Sequence, residues 1–136
     1  MTRGLLDTNI LIQWGRLERM TLPMELAITT VTLAELSSGV HLAESGLERA
    51  NRLSVLQWAE SIFDPLPFDV DAARAYGRVT AAVRSLGRSP RARVADQMIA
   101  AIAISEGLPV FTTNPKDFIG LDALLDVVPV RRSAQQ

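Results

Sequence analysis

Short apolar segments alternate along this chain with segments of helical periodicity, and this alternation is what most constrains the fold. Three runs are brief and apolar enough to predict strands, and they cover residues 5–7, 26–30 and 109–112. Strands separated by helices pair in parallel, and helices then cover both faces of the sheet. The pattern therefore predicts an α/β fold whose central, mainly parallel sheet has four to five short strands flanked by helices.

Helical periodicity and capping residues predict the elements between these strands. Thr8 and Asn9 are predicted to cap a first helix that reaches Trp14, and a second helix starts at Val31 and ends near Gly39 or Gly46. Further helices are predicted over residues 47–62, 72–86 and 94–105, a turn at 114–117, a helical turn within 118–124 and an edge strand at 127–130.

Two of these helices carry more specific expectations. In the helix over residues 47–62, the spacing of Leu47, Leu53 and Ile62 predicts one apolar face, and the segment has enough apolar residues for both a core and an interface. The helix that starts at Val94 is apolar nearly all round, which predicts a position in the core, and Gly107 ends it.

The domain organisation follows from length and composition. A chain of 136 residues supports one domain, and 48% hydrophobic residues are too many for a disordered chain. We expect a single domain over residues 1–130 and a polar tail over 131–136. No apolar run approaches the ~20 residues of a membrane span. Asp7 follows the first residue too closely for a signal peptide, so we expect a cytoplasmic protein.

The residue types exclude several kinds of chemistry. The chain has no cysteine, which excludes disulfides, iron–sulfur clusters and thiolate zinc sites. His41 is the only histidine, so a His-rich metal site is excluded as well. Oxygen ligands must hold any bound metal, which favours hard ions such as Mg²⁺ or Mn²⁺. The net charge of −1 gives no indication for or against a nucleic-acid partner.

Acidic residues occur where apolar or turn residues are expected. Asp7 ends an apolar strand, Glu35 lies on a helix after a strand, Asp96 interrupts the most apolar helix, and Asp117 follows a turn after a strand. Each has a simpler explanation when taken alone, as a helix cap, a solvated side chain or a partner of the helix dipole. In parallel sheets, however, ligands bind beyond the carboxyl ends of the strands, where Asp7 and Asp117 are predicted to lie.

A cluster of these acids would carry an electrostatic penalty that a divalent cation can remove. Carboxylates that share a low-dielectric pocket repel one another and raise their pKa values. One or two Mg²⁺ or Mn²⁺ ions would remove that penalty, ionise a water molecule and stabilise charge on a phosphate. The acids together therefore favour hydrolysis of a phosphodiester.

Four segments carry a family resemblance. They occur in a fixed order at residues 5–10 (LLDTNI), 30–36 (TVTLAEL), 95–101 (ADQMIAA) and 110–118 (VFTTNPKDF). With these segments the chain resembles the PIN-domain ribonucleases of the VapC toxin type, from bacterial VapBC toxin–antitoxin pairs. The resemblance implies a PIN-like fold and a metal-dependent endoribonuclease toxin of a type II pair, with tRNA or rRNA as the expected target.

The resemblance also implies site residues. Four acidic residues match the catalytic and metal-binding positions of the family: Asp7, Glu35, Asp96 and Asp117. The fourth position is open between Asp117 and Asn114, because other relatives carry an acid at the position of Asn114. The residues that match supporting polar positions are Asn9, Thr112 and Asn114. Asn9 is expected to orient Asp7 or a water molecule, and Thr112 to donate a hydrogen bond to a carboxylate, although both are also typical of caps and turns.

The expected partners follow mainly from the resemblance. It implies Mg²⁺ or Mn²⁺, an RNA substrate, a VapB-like antitoxin and a homodimer, with no membrane partner. The sequence adds a group of arginines around a Gly-Pro loop just before Asp96, namely Arg84, Arg88, Arg91 and Arg93. They are candidates for holding an RNA backbone, and a solvated loop is the alternative interpretation.

Two other functions are compatible with parts of the pattern. An aspartate-nucleophile phosphatase also begins with a strand that ends in Asp, but its general acid stands two residues later, where this chain has Asn9. A phospho-acceptor receiver domain combines an acidic pocket with a Thr and a Lys, as Thr112 and Lys116 would. It would leave Glu35 and Asp96 without a role. A PIN-like protein that only binds is a further alternative, which the presence of all the acids does not favour.

Overall fold

A four-stranded parallel sheet forms the centre of the computed structural model, which describes residues 3–134. The strands are β1 (Arg3–Leu6), β2 (Glu25–Ala27), β3 (Val110–Thr112) and β4 (Val127–Pro129). The helices are α1 (Thr8–Ile12), α2 (Thr30–Leu42), α3 (Gly46–Ile62), α4 (Val70–Ser85) and α5 (Val94–Glu106). Short 3₁₀ turns cover Trp14–Arg16, Arg19–Thr21 and Pro115–Phe118.

The strand order β2-β1-β3-β4 places β1 and β3 side by side in the middle of the sheet. Every pairing is parallel, with Leu5 opposite both Ala27 and Val110. An additional parallel bridge joins Thr29 to Leu66 in the extended segment after α3. The predicted α/β class and its mainly parallel sheet of short strands flanked by helices are therefore confirmed.

Consecutive residues of the central strands point into two separate cores, as the alternation of a pleated strand requires. Leu5 and Val110 pack with residues of α4 and α5, whereas Leu6 and Phe111 pack with residues of α1, α2 and α3. All four side chains are buried. Both faces of the sheet are covered, which explains why the strands are continuous apolar runs rather than alternating ones.

Helix α5 lies in the first of these cores, as its composition predicted. Ile99 and Ile102 are fully buried, together with the alanines between them. Gly107 ends the helix in the left-handed region at φ 68°, a conformation that costs glycine little.

Several predicted boundaries were wrong because polar side chains cap helices earlier than expected. The strand predicted over 26–30 ends at Ala27, because the Thr29 side chain accepts a hydrogen bond from the Thr32 amide and begins α2. Helix α1 is capped by Asp7 rather than by Thr8 or Asn9. It ends at Ile12, and Trp14 lies in a 3₁₀ turn.

The turn predicted at 114–117 is present as the 3₁₀ turn Pro115–Phe118. Within the helical turn predicted over 118–124, the 3₁₀ turn ends at Phe118, and one further turn follows, in which the amides of Leu124 and Leu125 both donate to the carbonyl of Leu121 at 2.9 Å. Gly120, within this segment, has the positive φ of 87°, which glycine adopts at little cost.

The predicted apolar face of α3 was largely wrong. Leu47 and Ile62 are 74% and 55% exposed, whereas Ala59 is fully buried. The aromatic contact between Trp14 and Trp58, with ring centroids 5.4 Å apart, orients the helix so that Val55 and Ala59 face the core. An apolar surface on α3 is therefore left outside the core.

The first residues of the predicted tail contact the domain. Leu17 forms an antiparallel bridge with Arg132, and the amide of Glu18 donates to the carbonyl of Arg131 at 3.0 Å. Residues 135–136 of that tail lie outside the described residues. Within residues 3–134, no helix combines the length and the apolar character that a membrane crossing requires.

Candidate active site

Three acidic side chains meet where the carboxyl ends of β1 and β3 lie next to each other. Asp7 directly follows β1, Asp96 lies in the first turn of α5, and Asp117 lies in the 3₁₀ turn after β3. One carboxylate oxygen from each lies within 4.8 Å of the others. The parallel pairing of β1 with β3 thus brings together acids separated by about a hundred residues of chain.

Asp7 forms the base of this cluster and is only 1% exposed. Its Oδ1 accepts from the amide of Thr8 at 2.8 Å, and its Oδ2 accepts from the Thr112 hydroxyl at 2.8 Å. The Thr112 hydroxyl oxygen in turn accepts from the amide of Asn114 at 3.0 Å. Burial raises the pKa of Asp7, although these hydrogen bonds to the carboxylate oppose the shift, and the charges of Glu35 and Asp117 raise it further.

Asp96 lies in the first turn of α5, ahead of the part of this helix that is buried in the core. Burial and the negative charges of Asp7, Asp117 and Glu35 raise the pKa of Asp96 to about 7. The nearby Arg93 guanidinium opposes this shift only partly. The ionised form of the Asp96 carboxyl is therefore disfavoured near neutral pH in the metal-free site.

Asp117 closes the cluster and has positive and polar partners. Its side chain is 5% exposed, and its Oδ1 accepts from Arg93 Nη1 at 2.5 Å and from Asn114 Nδ2 at 3.1 Å. Of the two candidates for the fourth acidic position, Asp117 is the one whose oxygen joins the group, and Asn114 supports it as a hydrogen-bond donor.

Glu35 lies beside the cluster rather than within the group of three. Its Oε1 accepts from the Thr8 hydroxyl at 2.5 Å, and that hydroxyl is 2.9 Å from the hydroxyl of the buried Thr32. Its charge raises the pKa values of both Asp7 and Asp96, so it faces the same pocket. Thr8 holds it there.

The remaining predicted site residues occupy more peripheral positions. Asn9 is half-buried in the first turn of α1, while the hydrogen bonds that orient Asp7 come from Thr112 and the amide of Thr8. Arg88 and Arg93 line a cavity of about 230 Å³ whose wall includes Asp117. Arg84 and Arg91 are exposed on α4 and on the following loop.

The sequence analysis missed the polar support around Glu35 and the ion pair of Arg93. Thr8 donates to Glu35 across 27 positions, and Arg93 pairs with Asp117 across 24 positions. The spacing of residues within a short segment cannot predict contacts between positions so far apart in the chain. The signal that was available is the presence of hydroxyl residues near two suspected acids: Thr8 directly follows Asp7, and Thr32 stands three positions, about one helical turn, before Glu35.

The donor set fits a hard divalent cation. Asp7, Asp96 and Asp117 offer carboxylate oxygens only, which suit Mg²⁺ or Mn²⁺ and do not favour softer metals. Burial, together with the neighbouring negative charges, raises the pKa values of Asp7 and Asp96, so the ionised forms of both carboxyls are disfavoured in the absence of a cation. A cation among the three oxygens would supply the missing opposite charge.

The raised pKa of Asp96 predicts that the metal-free protein loses stability as the pH rises. The folded-state pKa of about 7 exceeds the ordinary 3.8, so folding favours the protonated form. That contribution is complete below pH 4 and is lost as the pH rises through 7. At ~1.4 kcal/mol per pKa unit, we expect the free energy of unfolding in EDTA to fall by roughly 2–4 kcal/mol between pH 4.5 and 8.

Urea denaturation of the wild type and of Asp96→Asn checks this pH dependence. The variant cannot titrate at this position, so its decline over the same range is expected to be smaller by the share of Asp96, while the raised pKa of Asp7 contributes a decline in both proteins. Equal slopes for both proteins would contradict the assignment of the shift to Asp96.

Comparisons with known proteins agree with this architecture. The family model described as "PIN domain" matches residues 4–124. "Ribonuclease VapC5" of Mycobacterium tuberculosis is 42% identical over 133 residues, which cover 94% of each chain. "tRNA(fMet)-specific endonuclease VapC" of Shigella flexneri is 34% identical over 125 residues, covering 87% of this chain and 91% of the relative.

A solved structure shares the fold over nearly its whole length. It is the crystal structure of a member of the VapBC family of toxin–antitoxin systems, VapBC-5, from Mycobacterium tuberculosis. One of its chains matches with a TM-score of 0.83 and 39% identity, covering 96% of this chain and 99% of that chain.

Proposed function

This chain belongs to the PIN-domain family and, within it, to the VapC ribonucleases, and from that premise we propose that it is a metal-dependent endoribonuclease, the toxin of a type II toxin–antitoxin pair. The observation that carries the proposal is the meeting of Asp7, Asp96 and Asp117 within 4.8 Å. Metal ions held by carboxylate oxygens can activate a water molecule and stabilise charge on a phosphate, which are the two needs of phosphodiester hydrolysis.

The acidic residues have different proposed roles in binding Mg²⁺ or Mn²⁺. Asp7, Asp96 and Asp117 are proposed as ligands, and Glu35 as a further acid at the edge of the site. When bound, the ion supplies positive charge, which lowers the pKa of a water molecule and stabilises charge on the phosphate. Thr112 fixes the Asp7 carboxylate by its 2.8 Å hydrogen bond, and Asn114 fixes Asp117.

The surface beside the acids is proposed to bind the RNA backbone. Arg88 and Arg93 line the cavity that Asp117 borders, so their positive charge lies next to the proposed cleavage centre. Arg84 and Arg91 extend this positive surface along α4 and its loop. Guanidinium groups pair well with phosphate oxygens, and they would offset the repulsion between RNA and the acidic centre. tRNA or rRNA is the proposed substrate class, in keeping with the tRNA-specific relative.

A VapB-like antitoxin is the proposed partner. The matched structure is a member of a VapBC toxin–antitoxin family, which supports this pairing. We also propose a homodimer, supported by the exposed apolar side chains Leu47, Leu53 and Ile62 on α3, which leave apolar surface available for an interface. The cytoplasm, where RNA is available, is the proposed site of action.

Metal removal tests the proposed activity. The full chain, freed of antitoxin, is incubated with total RNA in Mg²⁺, in Mn²⁺ or in EDTA, and the cut ends are mapped. We expect discrete cuts with either metal, a loss of at least about a hundredfold in EDTA, and recovery when metal is added back.

Cleavage at full rate in EDTA would overturn the metal-dependent mechanism. Intact RNA under all conditions, together with a covalent phosphate on Asp7 after incubation with a phosphoryl donor, would instead support the phosphatase or receiver hypothesis. The sequence already disfavours the phosphatase hypothesis, because Asn9 occupies the position of the general acid and its amide cannot donate a proton as an acid does.

A further inference from the structure

Arg93 combines an unusual backbone conformation with a direct contact to the acidic cluster. It is the only residue other than glycine with positive φ among residues 3–134, at φ 55° and ψ 46°. It precedes α5 at the cap position, yet its side chain makes no capping hydrogen bond. A left-handed conformation is costly for a residue with a long side chain. The local backbone therefore gives no explanation for an arginine here.

The contacts of the guanidinium supply that explanation. Nη1 of Arg93 lies 2.5 Å from Asp117 Oδ1 and 3.9 Å from Asp96 Oδ2. The Arg93 side chain is 55% exposed, whereas those of Asp117 and Asp96 are 5% and 18% exposed. Arg93 thus reaches in from the surface and places its charge on acids that are themselves largely buried.

These contacts compete with metal coordination. Asp117 Oδ1 accepts from Arg93 and also from Asn114 Nδ2 at 3.1 Å, so both of its lone-pair positions are occupied. A divalent ion needs a free lone pair on each ligand oxygen. Coordination through this oxygen therefore requires one of the two donors to leave, and coordination through Oδ2 would still bring the ion close to the positive guanidinium. The arginine side chain is 55% exposed, so it is the donor that can withdraw toward solvent.

The cavity next to Asp117 gives the displaced side chain a place to lie. It measures about 230 Å³, and Arg93 lines it together with Arg88 and Ser89. A guanidinium that leaves the carboxylate therefore has space beside it within the same cavity.

We propose that Arg93 is the internal counter-cation of the acidic site. It pairs with Asp117 and partly offsets the charge of Asp96 while the site lacks a divalent ion, leaves Asp117 when an ion binds, and so lowers the affinity of the site for metal. This inference rests on the proposed metal site, and it makes Arg93 a positioning residue that acts through Asp117.

Metal titration without RNA tests the proposal. Mn²⁺ is titrated calorimetrically into the full chain as wild type, Arg93→Gln and Arg91→Gln. Arg91 is the matched control, because it lies two residues earlier in the same loop and forms no ion pair with a carboxylate among residues 3–134. We expect Arg93→Gln to lower the Kd for Mn²⁺ by about three- to tenfold, the range for loss of one competing ion pair. Arg91→Gln should stay within about twofold.

Two further variants separate positioning from general structural damage. Arg93→Asn keeps a residue that tolerates positive φ and should tighten Mn²⁺ binding as Arg93→Gln does. Arg93→Lys keeps the charge and should return the Kd toward the wild-type value. In EDTA, Arg93→Gln should melt below the wild type, and its melting temperature should rise more on adding Mn²⁺.

The outcomes distinguish this inference from the proposed function. Equal Mn²⁺ affinity in Arg93→Gln and Arg91→Gln, or weaker binding in Arg93→Gln than in the wild type, would overturn the role of Arg93 and leave the metal site standing. Absence of Mn²⁺ binding by every protein, including the wild type, would overturn the metal site and this inference with it.

Discussion

Replacement of Asp96 by Asn is expected to reduce RNA cleavage by at least about a hundredfold, which corresponds to ~2.7 kcal/mol in the activation free energy. The substitution keeps the size and shape of the side chain but removes one of the three charges that meet within 4.8 Å. Initial cleavage rates at saturating Mn²⁺ measure the effect. Unfolding in EDTA at pH 8 should show the variant to be at least as stable as the wild type, since burial of the charged Asp96 is unfavourable.

Asp122→Asn provides the matched control for this loss. Asp122 is exposed, lies outside the group of three acids, and undergoes the same chemical change. Its cleavage rate should remain within about twofold of the wild type. Wild-type cleavage by Asp96→Asn would refute the assignment of the site, whereas an equal loss in Asp122→Asn would indicate a general effect of charge.

Phe118→Ala should lower the free energy of unfolding by about 3–5 kcal/mol, the usual cost of removing a buried phenyl ring. Phe118 is 1% exposed and packs in the core shared with α4 and α5. It directly follows Asp117 in the 3₁₀ turn, so it anchors the backbone that presents this carboxylate. Urea denaturation in EDTA measures the loss without a contribution from bound metal.

The neighbouring residue supplies the control for this second variant. Ile119 is 54% exposed, so Ile119→Ala should change the free energy of unfolding by no more than about 0.5 kcal/mol. Mn²⁺ affinity, measured under conditions where both variants are folded, should fall only in Phe118→Ala. A loss of stability below about 1 kcal/mol in Phe118→Ala would show that the turn is anchored by other contacts.

Much of the fold could be predicted because it depends on local patterns. The runs that contain Leu5-Leu6 and Val110-Phe111 are apolar on both sides, and a strand covered on both faces requires this. The position of Asp7 after such a strand also predicted its place at the carboxyl edge of the sheet. Hydrophobic periodicity and the alternation of strands with helices along the chain were sufficient for these conclusions.

The orientation of α3 could not be predicted in the same way. Its sequence offers apolar residues on more than one side, and Leu47 fits an apolar face as well as Val55 does. The choice depends on what the helix meets in the folded chain. The contact of Trp58 with Trp14, from a turn more than forty residues earlier, decides it.

The sequence by itself determined the fold class and the succession of strands and helices, and it placed Asp7 and Asp117 beyond the ends of strands, because propensity, periodicity and residue chemistry act over a few neighbouring positions. Only the tertiary structure decided that Asp7, Asp96 and Asp117 share one group, that Thr8 holds Glu35 beside it, and that Arg93 pairs with Asp117. Hydrogen bonds and ion pairs act over a few ångströms, and the distances between residues far apart in the chain exist only after folding.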